Sequence, residues 1–339
     1  APRPRSDGLQ SPSMTVAVRS FAKINLGLYI GARRADGFHE LRTVYQTIAL
    51  HDVVRVSVSK TRGGIEILCD DPRVPLDSSN TCYRMAALVM KALGARGRVT
   101  VEIEKKLPVQ GGMGAASSNA MAAMAGLERA LKKRLSGAER LRIAAAVGSD
   151  LPLFAIGGTV LGVGRGEEVY PLPDLAAMAM VVVTPEIGVS TPKAFADWDA
   201  RGQLTGSGSS DRLFEVGCAL SAWLRGCSNF GSPKAGAPAK RGGRAGNLSD
   251  LVRAGIENDF EKVVFPQFPE LRDIKRALLR AGSRYASLSG SGSALYGLFG
   301  LAAEAERAAA RLRKQGLRAT ATRTLTRREF GKALLVGGR

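Results

Sequence analysis

The chain has 339 residues, 45% of them hydrophobic and 23% charged, and at about 150 residues per domain this length predicts two domains. That composition excludes a mainly disordered protein, and no apolar run approaches the roughly 18 residues that a membrane-spanning helix needs. The 49 basic and 30 acidic residues give a net charge of +19, which favours anionic partners such as nucleic acids, anionic lipids or anionic small substrates.

Residues 1–14 contain Pro, Ser and Arg but no apolar segment. They therefore predict a flexible N-terminal extension rather than a secretory signal. The 4 cysteines are scattered, without a CxxC pair and with few histidines near them. The sequence thus predicts neither a disulfide scaffold nor a protein-held metal site, and it favours a cytoplasmic protein.

Predicted strands and helices alternate along the chain. Apolar runs and alternating patterns predict strands over 53–59, 99–104 and 178–183. Segments with capping and stop signals predict helices over 81–93, 118–131 and 138–147. The later elements are a helix over 258–279 that is interrupted near Pro266 and Pro269, strands over 285–289 and 294–299, a helix over 302–314 and a strand over 317–324.

This pattern predicts an α+β fold with two domains, one over residues 15–172 and the other over residues 173–339. Within the second domain, residues 231–246 are rich in Gly, Ala and Pro and carry basic but no acidic side chains. Such a composition predicts a flexible basic insertion.

The segment over residues 107–119 has the most informative pattern. Its glycines allow tight turns and close approach to a ligand, and the free N–H groups at the start of the following helix would face that ligand. The pattern therefore favours a phosphate-binding loop, although it lacks the ending of a Walker A motif. The alternative is a tight helix start that is capped by Ser117 or Ser118.

Four other segments accompany this loop: AKINLGL at 22–28, GFHEL at 37–41, GSDLP at 148–152 and SGSGS at 289–293. Their order resembles the GHMP kinase superfamily over about residues 16–335. Within it, AKINLGLYIGARRADGFHEL resembles the signature of the family that phosphorylates 4-diphosphocytidyl-2-C-methyl-D-erythritol in the non-mevalonate isoprenoid pathway.

The resemblance implies a fold and a set of site residues. The N-terminal domain would be similar to domain 2 of ribosomal protein S5 and the C-terminal domain would be ferredoxin-like, with the active site in the cleft between them. The implied catalytic residues are Lys23 and Asp150. The implied ATP contacts are Asn80, Lys105, Pro108, Val109, Gln110, Gly111, Gly112, Met113, Gly114, Ala115, Ala116, Ser117 and Ser118. The implied contacts to the cytidine substrate are Asn25, Phe38, His39 and Phe195.

The resemblance also implies ATP as co-substrate, together with Mg²⁺. Phosphoryl transfer to an alcohol needs alignment, neutralisation of charge and an acceptor for the hydroxyl proton. Asp150 suits that position either as a base or as a group that orients the hydroxyl, and Lys23 can keep it ionised. Phe38 and Phe195 are expected to sandwich the cytosine ring, and His39 to contact its polar edge.

The loop departs from the family pattern at three positions. Gln110 stands where a smaller residue is usual, and Ala115 and Ala116 replace glycines. These differences bear on the flexibility of the loop and on ATP affinity.

Two alternatives differ in function. One is another GHMP kinase, of the homoserine or mevalonate type, and the other is a basic nucleic-acid-binding protein without catalysis. The second alternative predicts RNA binding that weakens steeply with salt and no turnover of ATP. For the kinase we expect small-molecule partners, no nucleic acid, no membrane, and a monomer or weak homodimer.

Overall fold

The computed structural model describes residues 14–61, 63–205 and 256–337. The predicted extension, apart from Met14, and the predicted insertion over 231–246 lie outside the described residues. The predicted domain boundary between residues 172 and 173 stays a prediction.

The first half forms a sheet of 6 strands among the described residues, in the order β3-β4-β2-β5-β6, with β1 paired to β2. β1 and β2 are long and antiparallel, and β3 is parallel to β4. The strands are β1 (Val16–Arg33), β2 (His39–Ser59), β3 (Ile65–Cys69), β4 (Arg98–Glu104), β5 (Thr159–Val163) and β6 (Glu168–Pro171).

Four helices belong to this half of the described chain: α1 (Thr81–Ala92), α2 (Ala115–Ala130), α3 (Gly137–Val147) and α4 (Leu153–Ile156). Asn80 caps α1 by accepting a hydrogen bond from the Cys82 N–H, and Ser136 and Glu139 form a capping box at the start of α3. The predicted starts of α1 and α3 therefore agree with the structure to within one residue. The apolar faces of these helices pack against the sheet in one buried cluster that includes Met85.

The second half contains a sheet of 4 strands in the order β10-β7-β9-β8. Its elements within the described residues are β7 (Ala179–Val183), α5 (Thr191–Thr205), α6 (Glu261–Gln267), α7 (Pro269–Arg280), β8 (Tyr285–Leu288), β9 (Leu295–Phe299), α8 (Ala302–Lys314) and β10 (Ala319–Arg323). Counted within this sheet, the order is 4-1-3-2, with helices on the two crossovers. This topology is ferredoxin-like, as predicted.

Apolar side chains join the two sheets. Ile24 and Ile48 on the first sheet share a buried cluster with Met180 and Tyr296 on the second. After β10 the chain returns to the first half, where α9 (Arg327–Ala333) packs on the first sheet. The two halves are thus held together by a continuous core and by the returning C-terminal segment.

No helix among the described residues is long and apolar enough to cross a membrane.

Candidate active site

The glycine-rich loop over residues 108–114 connects β4 to α2 and contacts both halves of the molecule. The Lys23 N–H donates to the Met113 carbonyl oxygen at 3.0 Å, and Ser289 Oγ donates to the Gly112 carbonyl oxygen at 3.0 Å. Gly112 has a φ of +71°, and a Cβ there would overlap the Ser289 carbonyl oxygen. Glycine is therefore required at this position both by the backbone conformation and by the close approach.

The helix α2 begins directly after the loop. Its N-cap, Gly114, has a φ of 66° and no side chain with which to cap the helix. The first turn, all of whose residues the structure describes, contains no acidic side chain. The first N–H groups of a helix lack intrahelical partners, and the helix dipole adds partial positive charge there. The start of α2 therefore suits an anion such as phosphate.

This helix starts three residues earlier than the sequence predicted, at Ala115 instead of Ser118. Ser117 and Ser118 consequently lie inside the first turn, and neither is the N-cap. The alternative of a serine-capped helix start is thus wrong. Ala115 and Ala116 stand in helical positions, where glycine is not needed, whereas Gln110 adopts a φ of 58° that is uncommon for a side chain of its size.

A cavity of about 380 Å³ opens beside the loop. Of the residues predicted to contact ATP, all but Ser118 line it, and the side chain of Ser118 is buried. The lining residues among them are Asn80, Lys105, Pro108, Val109, Gln110, Gly111, Gly112, Met113, Gly114, Ala115, Ala116 and Ser117.

Two of these side chains already have protein partners. Asn80 Oδ1 accepts from the Cys82 N–H at 2.8 Å, and its Nδ2 donates to the Pro75 carbonyl oxygen at 2.6 Å. Lys105 Nζ lies 2.5 Å from Oδ2 of the fully buried Asp52. Both side chains thus bind to protein groups in the wall of the cavity. Their contact with adenosine stays a prediction.

The two residues predicted to be catalytic face each other. Lys23 Nζ lies 3.3 Å from Asp150 Oδ2, and the lysine side chain is 4% exposed whereas that of the aspartate is 34% exposed. Lys23 Nζ also donates to Asn25 Oδ1 at 2.7 Å, and Tyr45 OH donates to Asp150 Oδ1 at 3.0 Å. The cation is therefore buried and held by oxygen atoms, and the carboxylate is accessible from the cleft.

Hydrogen bonds between β1 and β2 orient the Asn25 side chain beside Lys23. Asn25 Nδ2 donates to Thr43 Oγ1 at 2.7 Å, and Thr43 Oγ1 donates to the Gly27 carbonyl oxygen at 2.8 Å. Because residues that pair across antiparallel strands share a face of the sheet, the pairing of Asn25 with Tyr45 places both side chains on one face. Each polar group of Asn25 is thus engaged, which fixes the amide beside Lys23.

A second cavity, of about 660 Å³, lies between the two halves. The residues predicted for catalysis and for the cytidine substrate all line it; they are Lys23, Asn25, Phe38, His39, Asp150 and Phe195. The structure thus brings six residues from four separate segments to one cleft.

The aromatic residues of this cleft are arranged differently from the expected sandwich. His39 Nε2 lies 2.6 Å from Asp199 Oδ1, and its ring stacks on Phe195 with centroids 5.0 Å apart and 8° between the planes. Phe38 is 51% exposed, and the Arg165 guanidinium lies 4.9 Å from its ring centroid. One face of the Phe195 ring is thus occupied by His39, and the sandwich of cytosine between the two phenylalanines stays a prediction for the substrate complex.

The two cavities meet at the glycine-rich loop. Gly112, Gly114 and Ser117 line both of them. Lys23 and Asp150 line the larger cavity, next to this junction. An anion site thus adjoins a Lys–Asp pair, which is an arrangement that suits transfer of a phosphoryl group.

Comparison with known proteins gives matches over most of the chain. The model described as GHMP kinases N terminal domain matches residues 80–158, and the model described as GHMP kinases C terminal matches residues 237–317. A 4-diphosphocytidyl-2-C-methyl-D-erythritol kinase from Solibacter usitatus is 38% identical over 284 residues, which cover 83% of this chain and 80% of that protein. The chain belongs to the 4-diphosphocytidyl-2-C-methyl-D-erythritol kinase family. Another member, from Moorella thermoacetica, is 35% identical over 90% of this chain and 98% of its own.

Solved structures agree with this family. A crystal structure of 4-(cytidine 5'-diphospho)-2C-methyl-D-erythritol kinase is 26% identical, with a TM-score of 0.65 over 91% of this chain and 98% of that chain. A homoserine kinase from Cytophaga hutchinsonii has a TM-score of 0.68 at 19% identity over 94% and 96%, and that likeness shows the fold alone. The predictions of a GHMP kinase fold and of kinase activity are confirmed.

Several residues that line this cleft were not predicted, and four of them have polar side chains close to the predicted ones: Thr43, Tyr45, Arg165 and Asp199. Thr43 and Tyr45 had an indirect signal in the sequence, because they pair with Leu28 and Asn25 of the AKINLGL segment once β1 and β2 are aligned. Arg165 and Asp199 had none, since only the tertiary fold brings the turn after β5 and the middle of α5 to the cleft.

Proposed function

We propose that this kinase transfers the γ-phosphoryl group of ATP to the 2-hydroxyl of 4-diphosphocytidyl-2-C-methyl-D-erythritol in the non-mevalonate isoprenoid pathway. The supporting observation is that the two cavities meet at Gly112, Gly114 and Ser117, with Lys23 and Asp150 on the side of the larger one. ATP would occupy the smaller cavity, with its phosphates at the start of α2. The names of the curated relatives support the choice of acceptor.

The residues of the cleft account for the transfer. The acceptor oxygen forms a bond to the γ-phosphorus while the bond from that phosphorus to the β–γ bridging oxygen breaks, which releases ADP. Asp150 receives the hydroxyl proton. Lys23 offsets negative charge on the attacking oxygen and on the transferred group, and the start of α2 does so for the polyphosphate.

Mg²⁺ enters as part of this proposal because it neutralises charge on the polyphosphate in phosphoryl transfer. No cluster of three His, Cys, Asp or Glu side chains in the described part of the chain could hold a metal ion. Mg²⁺ commonly binds through one or two carboxylates together with substrate phosphates and water. Ser117, which lines the junction, has a hydroxyl that fits an ion arriving with the ATP phosphates.

The test of this function is release of ADP from ATP and Mg²⁺ by the purified protein, measured with several acceptors. We expect release that depends on 4-diphosphocytidyl-2-C-methyl-D-erythritol and a product heavier by one phosphate in mass spectrometry. Release that depends instead on homoserine or mevalonate would support the other GHMP kinases. RNA binding that weakens steeply with salt, without any ADP release, would support the nucleic-acid alternative.

The location and partners form part of the same proposal. We place the enzyme in the cytoplasm, as a monomer or weak homodimer without nucleic-acid or membrane partners. The scattered cysteines support that location, and the net charge of +19 suits two polyanionic substrates.

A substitution in the loop tests the ATP site. In Gly114→Val, the new side chain must adopt a φ of +66°, and its Cβ would lie 3.0 Å from Lys23 Cγ. Backbone strain of about 1–3 kcal/mol predicts ATP binding that is roughly tenfold weaker or more. The same reasoning covers Gly112→Val, although that change also disturbs the contact with Ser289. Calorimetric titration with a non-hydrolysable ATP analogue measures the effect.

The matched control is Gly137→Val, because residue 137 has open space around its Cβ and no positive φ. It should bind ATP as the unmodified protein does. The cytidine substrate should bind Gly114→Val with much less change than ATP. Unchanged ATP affinity in folded Gly114→Val would contradict the phosphate loop.

Aromatic substitutions test the substrate side. Phe195→Ala should cost about 1–3 kcal/mol of substrate binding, which is the range for a base stacked on an aromatic ring. ATP affinity should hardly change, because Phe195 lines only the larger cavity. His39→Ala should also reduce discrimination between the cytidine substrate and its uridine analogue, since only a polar contact distinguishes the two rings.

Competitive binding of both pyrimidine compounds measures these effects. Tyr170→Ala is the control, because Tyr170 is 53% exposed and lines neither of the two cavities. If the unmodified protein binds the uridine compound equally well, or if Phe195→Ala impairs ATP binding instead, the proposed cytosine site is wrong.

A further inference from the structure

A buried tyrosine hydroxyl contacts the Asp150 carboxylate. Tyr45 is 2% exposed, and its OH donates to Asp150 Oδ1 at 3.0 Å. The other oxygen of the same carboxylate, Oδ2, lies 3.3 Å from Lys23 Nζ. The two carboxylate oxygens thus have different partners, a neutral donor and a cation.

The position of the phenol is closely defined by its surroundings. A Cβ at Gly162 would lie 2.5 Å from Tyr45 Cε2, and a Cβ at Gly166 would lie 2.5 Å from the hydroxyl. On the sheet, Tyr45 is paired with Asn25 of β1 and with Val160 of β5. In so close a packing the ring has little room to turn away from Asp150.

The phenol is also confined to one role in the hydrogen bond. Burial, together with the charges of Asp150 and Glu167, raises the pKa of Tyr45 well above its ordinary value. The hydroxyl therefore stays protonated and donates to the carboxylate at any pH at which the enzyme is assayed. Among the described residues, Lys23 from β1 is the charged side chain in direct contact with Asp150.

We propose that Tyr45 is a positioning residue for phosphoryl transfer, which holds Asp150 Oδ1 so that Oδ2 faces Lys23 and the acceptor hydroxyl. The inference rests on the proposed function. Rotation of the carboxylate out of this orientation would break the hydrogen bond from the phenol, so the hydroxyl restricts the side-chain torsion of Asp150.

The test is Tyr45→Phe, which removes the hydroxyl and keeps the ring between the glycines. We expect kcat on the pH plateau to fall about tenfold and both KM values to change less than about twofold, since neither substrate is bound through the phenol. A positioning role thus appears in kcat and not in KM, because the hydroxyl acts on the orientation of the Asp150 carboxylate and not on the binding of either substrate.

Two comparisons separate positioning from packing. Tyr296→Phe removes another buried hydroxyl, which donates to the Asn25 carbonyl oxygen at 2.8 Å and not to Asp150, and it should lower kcat less than about twofold. In the Asp150→Asn background, Tyr45→Phe should change kcat less than about twofold, because a residue that acts through Asp150 has no further effect once the carboxylate is gone.

A readout without substrate distinguishes this inference from the proposed function. A crystal structure of Tyr45→Phe without substrate should show the Asp150 carboxylate turned away from the orientation that it has in the unmodified protein, or in more than one orientation. Lack of activity toward the cytidine substrate would appear already in the unmodified enzyme and would leave this difference in orientation intact. An unchanged carboxylate orientation, an unchanged kcat, or an equal loss of kcat in the Asp150→Asn background would overturn the role of Tyr45.

Discussion

Asp150→Asn is expected to lower the rate of phosphoryl transfer by about 10²-fold or more, which is the usual scale for losing a positioned proton acceptor. The amide cannot take up the hydroxyl proton at neutral pH. It can still occupy the same space, with one polar atom toward Tyr45 and the other toward Lys23. Single-turnover kinetics at saturating ATP measure the chemical step, and equilibrium titration shows whether nucleotide binding is retained.

The control for this change is Asp273→Asn, an exposed residue of α7 that is paired with Arg276. It should turn over at the normal rate. If folded Asp150→Asn also keeps a near-normal rate, Asp150 is not the proton acceptor.

Lys23→Met is expected to reduce kcat by about 10²–10³-fold, the range seen when one preorganised donor to a developing negative charge is removed. Met has a similar length, so it fills the space of the lysine side chain without its charge. Asn25 Oδ1 loses its 2.7 Å donor, and Asp150 loses the cation at 3.3 Å. Because Asp150 is partly exposed, its charge remains solvated and the protein should fold.

Lys23→Arg tests whether a positive charge at this position is enough for normal kcat. A Cβ at Gly114 would lie 3.2 Å from Lys23 Cε, and a Cβ at Gly290 would lie 3.5 Å from Nζ, which shows how closely the loops approach this side chain. The larger guanidinium does not fit this space, so arginine should restore less than about a tenth of the lost activity. Lys314→Met, at an exposed position of α8, should leave kcat unchanged. A kcat within tenfold of normal in Lys23→Met would exclude the proposed role of the ammonium.

Most of the secondary structure was predictable from local patterns. Helix α1 has its Asn80 cap, α3 has its capping box, and α7 begins at Pro269 as the interruption in the predicted helix indicated. In each case the deciding interaction lies within a few residues of the chain, where sequence patterns are most informative.

The long strand β2 was predicted only at its end, over 53–59, although it begins at His39. Its first part contains Thr43, Tyr45 and Thr47, which are all buried. Buried polar residues disrupt the apolar alternation from which a strand is predicted. The first part of β2 was therefore hard to predict as a strand. The same buried polar side chains support the candidate active site.

The residues of the candidate site also differ in how well the sequence predicts them. Lys23, Asp150 and the glycine-rich loop stand in sequence motifs, because each motif combines residue types whose chemistry is specific. Tyr45 and Asp199 have no such motif. Their roles arise only from contacts of 3.0 Å to Asp150 and 2.6 Å to His39.

The sequence by itself determined the family, the order of most elements and the residues with the chemistry for phosphoryl transfer, because these depend on residue type and local spacing. The tertiary structure alone decided that two cavities meet at the loop, that Phe195 stacks on His39, and that a tyrosine hydroxyl donates to the Asp150 carboxylate. The physical reason is distance along the chain: Asp150 and Tyr45 are 105 residues apart. Only the packing of the sheet against the segment after α3 brings their side chains into hydrogen-bonding contact.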